Sequence, residues 1–292
     1  MFGFGEKTHY QHLAKKWEKR AKKFETQLWE NHKDVLQEVI KHPREVILST
    51  IAGLVLFALP GGPISSRYAQ AQKEQPYSDL NKQAALVLDL SHLLPPTVEP
   101  LTTNQENAIG NLLTDRFGMP VSAELSGKRL NRSYGKIGAE QHLARYPGDS
   151  MSSHFDNQSD WDVYNSSGMA PGLGAWGYFA RSQSQMTQKD SDREKWYIAV
   201  QTFLVPDYNQ HVKEYSDFFK YHKMLVVNPQ NGKAIVADIG DAGPADWTGK
   251  SLGGSPEVMH FLERQDGGAV GPVIYMFIDD PHDKIPLGPI QE

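Results

Sequence analysis

The sequence predicts an α+β protein whose C-terminal part is a small closed β-barrel of six strands. Short β-rich runs separated by turn signals dominate the chain after about residue 170. An Asn-Gly pair, Asn231-Gly232, lies between two of these runs and is a strong hairpin signal, whereas helix-forming sequence dominates the chain before Gly118. A closed barrel is the favoured arrangement because closure leaves no exposed strand edges.

Composition and charge restrict the class of function. The chain has 292 residues, of which 39% are hydrophobic, and this is enough to form a core. Its formal net charge of -5 argues against nucleic acid as a partner, because phosphate binding requires a basic face. The chain contains no cysteine, which excludes disulfides, thiolate metal ligands and a cysteine nucleophile.

A basic amphipathic helix is predicted at the N-terminus. From Leu13 to Ile40, apolar and aromatic residues recur at spacings of three, four and seven, and Lys and Arg dominate the first half of this segment. We therefore interpret residues 1–45 as a cytoplasmic helix that lies on an anionic membrane leaflet. A solvated or partner-binding helix is the alternative.

Residues 46–64 are predicted to cross a membrane. This run begins with VILSTIAGLVLFALP and carries no charge, and its length is close to the roughly 20 residues that a bilayer requires. Positive charge precedes it, so the N-terminus is placed in the cytoplasm and the chain beyond Arg67 outside. The sequence Ala69-Gln70-Ala71 lies far beyond the apolar run, which favours an uncleaved, single-pass signal anchor over a cleaved signal peptide.

Two further segments precede the predicted barrel domain, which is placed at residues 170–292. Residues 65–77 are polar and are interpreted as a linker. Residues 78–169 are interpreted as a helical and loop-rich region. Thr103, Asn104 and Glu106 supply capping residues for its second helix, and Gly118 ends it.

The elements of the predicted barrel follow in order. The predicted strands are residues 174–180, 196–206, 224–228, 233–239 and 273–280. Ser255-Pro256 begins a helix between the last two of these strands, because Ser caps a helix and Pro is favoured at its first position.

The loop-rich region also contains residue types that bind metals. Glu140 and His142 are close in sequence, and His154 and Asp156 follow within a short loop. Their spacing matches no metal motif. The aspartates from Asp156 to Asp162 resemble the start of a calcium loop but lack its glycine and its final glutamate. We therefore predict a solvated acidic loop, with no metal and no cofactor.

Residues 172–280 resemble the double-psi β-barrel of the rare lipoprotein A and expansin group. The sequence NPQNGKAIVADIGDAGP is similar to that group's N-x-x-N-G-(K/R)-x-V-x-V-x-(V/I)-N-D-x-G-P. The segments GAWGYF, AVQTFLVP, WTGKSLGGSPEVMHFL and VIYMFIDD are similar to its other barrel segments, in the same order. The resemblance implies a double-psi barrel that contacts cell-wall glycan.

The resemblance also implies roles for particular residues. In that group the Asp of the N-D-x-G-P turn lines a polysaccharide groove, and in lytic transglycosylase members it protonates the glycosidic oxygen; Asp241 occupies this position. Such an acid needs a carboxyl whose pKa is raised by an apolar groove. Trp247 and Trp176 are the candidate platforms for a sugar ring, with core packing as the alternative for each. Asp238 and Asp246 are further candidate substrate-binding residues, and these two, Asp190 and Asp192 are the possible second carboxylates.

Two positions depart from the pattern of that group. Its His falls on Gln201, which can orient a ligand by hydrogen bonds but cannot transfer protons at neutral pH. Its second Asp falls on Gly253, so a carboxylate is missing there. Hydrolysis normally uses two carboxylates, whereas a lytic transglycosylase can operate with one, because the sugar's own hydroxyl attacks. Asp241 and Gln201 are therefore the predicted catalytic positions.

The sequence leaves three functions open. An anchored, extracytoplasmic lytic transglycosylase would cleave peptidoglycan with Asp241 as general acid. A noncatalytic module would bind the wall glycan, and an interaction scaffold would act through the helical segments 1–42 and 78–117. An open groove at Asp241 favours the enzyme, whereas a buried Asp241 bonded to backbone amides would be a turn-forming residue.

Overall fold

The computed structural model describes residues 75–155, 157–264 and 271–290. The predicted cytoplasmic helix, the predicted membrane span at residues 46–64 and most of the linker lie outside these ranges. Among the described residues, no helix combines the length and the apolar character needed to cross a membrane. All of the described residues belong to one compact unit.

Two helices precede the sheet, α1 (Gln75–Leu93) and α2 (Thr103–Phe117). The Thr102 side chain accepts a hydrogen bond from the Gln105 backbone, and the Gln105 side chain accepts one from the Thr102 backbone, so α2 starts with a capping box. Gly118 ends α2 in the left-handed conformation, with φ of 65°, as predicted. The predicted capping residues after Thr102 lie within the helix instead.

The remaining elements are short. The strands are β1 (Val121–Ser122), β2 (Glu124–Leu125), β3 (Lys128–Arg129), β4 (Tyr134–Ala139), β5 (Tyr197–Val200), β6 (Lys223–Val227), β7 (Ala234–Ala242), β8 (Leu252–Gly254), β9 (Gly271–Ile278) and β10 (Gly288–Pro289). The helices are α3 (Gln158–Tyr164), α4 (Gln188–Lys195), α5 (Val212–Phe219) and α6 (Pro256–Phe261). The predicted cap of α6 is confirmed, because the Ser255 side chain accepts a hydrogen bond from the Val258 backbone.

Six strands close into a mixed barrel, which confirms the predicted closed barrel. β4 is parallel to β8, β8 is antiparallel to β5, and β5 is parallel to β7. β7 is antiparallel to β6, β6 to β9, and β9 back to β4. Both parallel and antiparallel pairs therefore occur in one closed sheet, an arrangement compatible with a double-psi barrel.

Apolar side chains fill the barrel and also cover part of its outside. Along β7, Ile235, Ala237 and Ile239 belong to the inner core, whereas Val236 packs in a second, outer cluster, because strand side chains alternate between faces. Leu86 and Leu90 of α1 lie in that same outer cluster, together with residues of α2, β6 and β9. Burial on both faces explains why these strands read as continuous apolar runs.

The prediction that residues 174–180 form the first barrel strand is wrong. The Gly177 backbone N–H donates to the Gly174 carbonyl at 2.9 Å, and Gly177 has φ of 75°, so the chain turns here. The first barrel strand is β4, within the segment predicted to be loop-rich. The strands of the barrel therefore begin before residue 170, where the barrel domain was predicted to start.

The predicted Asn-Gly hairpin is confirmed between β6 and β7, which pair from Val227 opposite Ala234 to Lys223 opposite Asp238. Its loop is longer than a two-residue turn. Gly232 has φ of 75°, and a Cβ built on it would lie 2.7 Å from the carbonyl oxygen of Gln83 in α1. A glycine is therefore needed here for its conformation and also for the close approach of the helix.

We predict that Gly232→Ala destabilises the fold much more than Gly249→Ala. Both glycines have φ near 70°, but nothing lies within 4 Å of a Cβ built on Gly249. The left-handed conformation alone should cost about 1 to 2 kcal/mol for alanine. The clash with the α1 backbone should add about 1 to 3 kcal/mol at Gly232. Denaturant unfolding of the two variants tests this, and equal losses would contradict the contact with α1.

Candidate functional site

Asp241 lies at the end of β7, just after an irregularity in the barrel. Ile239 pairs with Ile198 of β5, but Asp241 pairs with Ala199, so Gly240 is an extra residue on β7. A Cβ on Gly240 would lie 2.6 Å from Cβ of Tyr197, and only glycine fits there without displacement. This bulge places Asp241 opposite Ala199 on the outer face of the barrel.

The Asp241 carboxylate is half-buried and bonded to the backbone through one oxygen. Oδ1 accepts hydrogen bonds from the backbone N–H of Ala175 at 2.5 Å and of Ala242 at 2.7 Å. Gly174 also lies against it, since a Cβ there would be 3.4 Å from the carboxylate carbon. Burial raises the pKa of Asp241, and the two hydrogen bonds oppose this rise. The residue thus combines a raised pKa, as a general acid requires, with the backbone hydrogen bonds of a turn-forming carboxylate.

Glu140 supplies a carboxylate at the position where the sequence lacks one. It follows β4, and its backbone N–H donates to the Gly254 carbonyl at 2.9 Å. A Cβ built on Gly253 would lie 2.2 Å from both Cγ and Oε1 of Glu140. The Glu140 side chain therefore occupies the space that a side chain at Gly253 would fill. Lys250 Nζ lies 2.6 Å from Glu140 Oε1.

Strand register places Glu140 and Asp241 on the same outer face. Gly253 of β8 pairs with Ala199 of β5, which pairs with Asp241 of β7. Residues directly opposite each other in a sheet point to the same face. Two strand spacings separate Gly253 from Asp241, or roughly 10 Å between their backbones.

Tyr197 lies among the carboxylates of this face. Its hydroxyl donates a hydrogen bond to the Gln141 carbonyl. Burial raises its pKa well above the ordinary value, and the nearby charges of Glu194, Glu140 and Asp241 raise it further. Tyr197 therefore stays neutral and is a hydrogen-bonding support for the chain after β4.

Gln201 holds the loop that follows β7. It is buried, and its Nε2 donates to the carbonyls of Pro244 at 3.1 Å and Lys250 at 3.2 Å. These bonds position Lys250, the partner of Glu140. Its predicted catalytic role stays a prediction.

The two candidate sugar platforms differ in exposure. Trp247 is 88% exposed and lies on a 3₁₀ turn, Asp246–Thr248, in which Asp246 is also exposed. Trp176 is partly buried against the barrel core, and its Nε1 donates to the Ile239 carbonyl at 3.0 Å. Trp247 is thus free to stack on a ligand, whereas the geometry of Trp176 matches the core-packing alternative.

Asp238 lies under α4, away from the surface. It is 1% exposed, and neither of its oxygens has a hydrogen-bond partner among the described residues. Its nearest cation is Arg193 of α4, whose Nε is 3.7 Å away. Burial raises the pKa of Asp238 well above its ordinary value, and the Arg193 charge only partly opposes this.

We predict that Asp238→Asn stabilises the protein near neutral pH. Because the folded-state pKa is raised, the native carboxyl costs stability once the pH rises above the unfolded-state value of about 3.9. The gain should be about 1.4 kcal/mol for each pH unit between the unfolded-state pKa and the raised folded-state pKa, up to the pH of the measurement, and should vanish in acid. Thermal unfolding between pH 4 and 8 measures it, with the exposed Asp217→Asn as control. A variant less stable than the native chain at pH 7 would contradict this.

A second cluster of titratable side chains lies between the segment after β4 and α4. The rings of His142 and His154 flank Glu194, at 3.2 Å from His142 Nδ1 to Oε1 and 3.3 Å from His154 Nδ1 to Oε2. Burial opposes ionisation of Glu194, but the two histidines lower its pKa to about 2. Burial likewise opposes protonation of His154, yet Asp149 and Glu194 raise its pKa to about 9.

The sequence predictions missed this cluster because Glu194 is far from the two histidines in the chain. The sequence groups His142 and His154 with Glu140 and Asp156 as residues that could bind a metal. The structure instead pairs Glu140 with Lys250, and Asp156 lies outside the described residues. Nothing in the polar helix α4 marks Glu194 as its buried acid.

A cleft of about 490 Å³ lies elsewhere, beside the start of β6. Its lining includes Arg193, Tyr221, Lys223, Asp280 and Asp283. Lys223 Nζ lies 2.7 Å from Asp280 Oδ2 and 2.5 Å from Asp283 Oδ1. The charge of this lysine is therefore paired with carboxylates of the same cleft. The lining of this cleft does not include Asp241 or Glu140.

The fold and the outer-face carboxylates define a closed six-stranded mixed barrel with a candidate acidic site beside β5, β7 and β8. Comparisons with protein-family models, with curated proteins and with solved structures found no match to this chain. The resemblance to the rare lipoprotein A and expansin group therefore depends on the motifs within residues 172–280.

Proposed function

We propose that this protein is an anchored, extracytoplasmic enzyme that cleaves cell-wall glycan in the manner of a lytic transglycosylase, with Asp241 as general acid. The observation that carries the proposal is the half-buried Asp241 carboxyl on the outer face of the barrel. A general acid must be protonated near the working pH, and burial raises the pKa of Asp241 in the required direction.

The chemistry needs a proton at the glycosidic oxygen and an internal nucleophile. Asp241 donates its proton to that oxygen as the bond from the anomeric carbon to the leaving sugar breaks. A hydroxyl of the cleaved sugar then attacks the same carbon, which forms an anhydro ring without consuming water. The proton of this hydroxyl passes to a base, and we assign that role to Glu140, the carboxylate on the same face.

The surrounding residues supply binding and position. Trp247, which is 88% exposed, offers an apolar ring on which a sugar can stack. Lys250 holds Glu140 through an ion pair, and Gln201 holds Lys250 through its carbonyl. The predicted membrane span at residues 46–64 would place this domain beside the cell wall. The negative net charge favours glycan over nucleic acid as the partner.

A noncatalytic glycan-binding module is the second candidate function. One observation favours it, the pair of backbone hydrogen bonds that Asp241 Oδ1 accepts from Ala175 and Ala242. These bonds are typical of a carboxylate that shapes a turn. In this case Trp247 would bind the sugar chain, and Asp241 would hold the loop at Gly174 in place.

One experiment separates these functions. The purified full chain in detergent is incubated with insoluble peptidoglycan, and mass spectrometry of the soluble fraction identifies released fragments. Anhydro-muropeptides would support the enzyme. Co-sedimentation with the wall without release of products would support the binding module. Neither binding nor release would reject both and leave the interaction scaffold.

A further inference from the structure

We propose that His142, His154 and Glu194 bind one Zn²⁺ ion that fastens the segment after β4 to helix α4. The ligand atoms offered by these three side chains all lie within 4.8 Å of one another. Two imidazoles and one carboxylate are a donor set that Zn²⁺ uses in proteins, whereas Ca²⁺ and Mg²⁺ prefer oxygen ligands alone. The site is separate from the proposed catalytic carboxylates and does not depend on the proposed function.

The separations between the donor atoms are long for charge-assisted hydrogen bonds and leave room for a metal ion. The two Nδ1-to-carboxylate distances are 3.2 Å for His142 and 3.3 Å for His154. Charge-assisted hydrogen bonds between nitrogen and carboxylate oxygen are shorter, at about 2.7 to 2.9 Å. Ligands at about 2.0 to 2.1 Å from a tetrahedral zinc lie about 3.3 Å apart. Each separation is close to that length, and the two end on different oxygens of Glu194, so the carboxylate lies between the two imidazoles that would share the ion.

Three of the four ring nitrogens of the two histidines also lack a hydrogen-bond partner among the described residues. Nε2 of His142 and both ring nitrogens of His154 are buried, and none makes a well-aligned hydrogen bond with a described residue. The His154 nitrogens lie within 3.0 and 3.3 Å of carboxylate oxygens, so the distances are short while the directions are poor. Buried polar atoms without partners cost free energy. A metal ion would use the lone pairs that hydrogen bonding leaves unused.

A second layer of contacts orients the proposed ligands. Asp149 Oδ2 lies 3.0 Å from His154 Nε2, on the side of the ring away from Glu194. Arg145 in turn donates from Nε to Asp149 Oδ2 at 3.1 Å, and the Leu143 backbone donates to Glu194 Oε1 at 3.1 Å. Carboxylates behind metal-bound histidines commonly fix the ring orientation in this way.

The burial of the cluster indicates a structural ion rather than a catalytic one. His142 is fully buried and Glu194 is 3% exposed, so a substrate has no direct approach. The ion would join two segments that are distant in sequence, and Glu140 precedes His142 by only two residues. Zinc would thereby hold the chain that carries the Glu140 carboxylate against the outside of the barrel.

Metal analysis of the untagged, purified full chain tests the proposal. After equilibration with excess Zn²⁺ and gel filtration, we expect one zinc per chain. Replacement by Co²⁺ should give the intense visible absorption of tetrahedral cobalt, with a water molecule as the fourth ligand beside the three side chains. Removal of the metal with a chelator should lower the melting temperature, and added Zn²⁺ should restore it.

Three variants assign the site. Glu194→Gln and His154→Asn should each weaken zinc affinity by at least tenfold, since each removes a ligand. His222→Asn is the matched control: His222 is another largely buried histidine, stacked on Phe218 with ring centroids 4.7 Å apart, and the variant should keep one zinc.

Two results would overturn the proposal. The first is a native chain that takes up no zinc after equilibration. The second is zinc that is retained with unchanged affinity in both ligand variants. The measurements on the native chain decide the first question even if a ligand variant fails to fold.

Discussion

Asp241→Asn is expected to lower the rate of glycan cleavage by about 10²- to 10⁴-fold, the usual contribution of a general acid. Asparagine keeps the shape of the side chain, and its Oδ1 can still accept the hydrogen bonds from Ala175 and Ala242. The fold should therefore be preserved while the proton donor is lost. Release of anhydro-muropeptides per unit time is the measurement, with wall binding measured in parallel.

Asp280→Asn is the matched control for this substitution. Asp280 is also a partly buried carboxylate that accepts two backbone hydrogen bonds, from Lys284 and Ile285, and it pairs with Lys223 at 2.7 Å. The control should lower stability and leave the specific activity unchanged. An Asp241→Asn enzyme as active as the native one would remove Asp241 from the mechanism. Equal loss in both variants would indicate a general structural defect.

The pH dependence provides an independent check on the same residue. Burial raises the pKa of Asp241, so its protonated form persists to higher pH than that of a solvated aspartate. Only the protonated form can act as the acid, and the rate should therefore fall as the pH rises through that pKa. A rate that rises with pH over this range would instead indicate that Asp241 acts as a base or has no role.

The barrel was predictable because its central strands leave local signals. Continuous apolar runs, an Asn-Gly loop and a Ser-Pro helix start predicted β6, β7, β9 and α6 close to their observed positions. The first strand was misplaced because GAWGYFA has the aromatic residues of a strand. The positive φ of Gly177 and the hydrogen bond that turns the chain there are not visible in those letters.

Of the two carboxylates of the candidate site, only Asp241 was predictable from the sequence. Asp241 lies in a motif, and a motif is local. Glu140 and Gly253 are far apart in sequence, and they meet only because β4 and β8 pair in parallel, with Gly138 opposite Gly253. Loss of a carboxylate at one position therefore did not mean its loss from the site. The same limit hid Glu194, which meets His142 only through tertiary packing.

Moving the second carboxylate from Glu140 to Gly253 is the sharpest test of this arrangement. Glu140→Ala should lower glycan cleavage by about 10²-fold or more, because it removes the proposed base. The single variant Gly253→Asp should also cleave glycan more slowly than the native chain, since its Cβ would lie 2.2 Å from the Glu140 side chain and displace it. In the double variant the space is vacated and refilled by a carboxylate from β8. We expect it to recover at least about tenfold in rate over Glu140→Ala.

Recovery in the double variant would be hard to explain by packing alone. Two control variants distinguish an effect of the carboxylate charge from an effect of side-chain volume. Glu140→Gln keeps the volume of the side chain but not its charge, so it should be as inactive as Glu140→Ala if a carboxylate is required. Glu140→Ala combined with Gly253→Asn fills the same space without a charge and should stay inactive. If these uncharged variants recover the rate, Glu140 supports the site through its shape. If only Glu140→Ala combined with Gly253→Asp recovers the rate, the base can be a carboxylate at either position. The barrel then determines where the carboxylate must lie, and the residue that provides it can come from the chain after β4 or from β8.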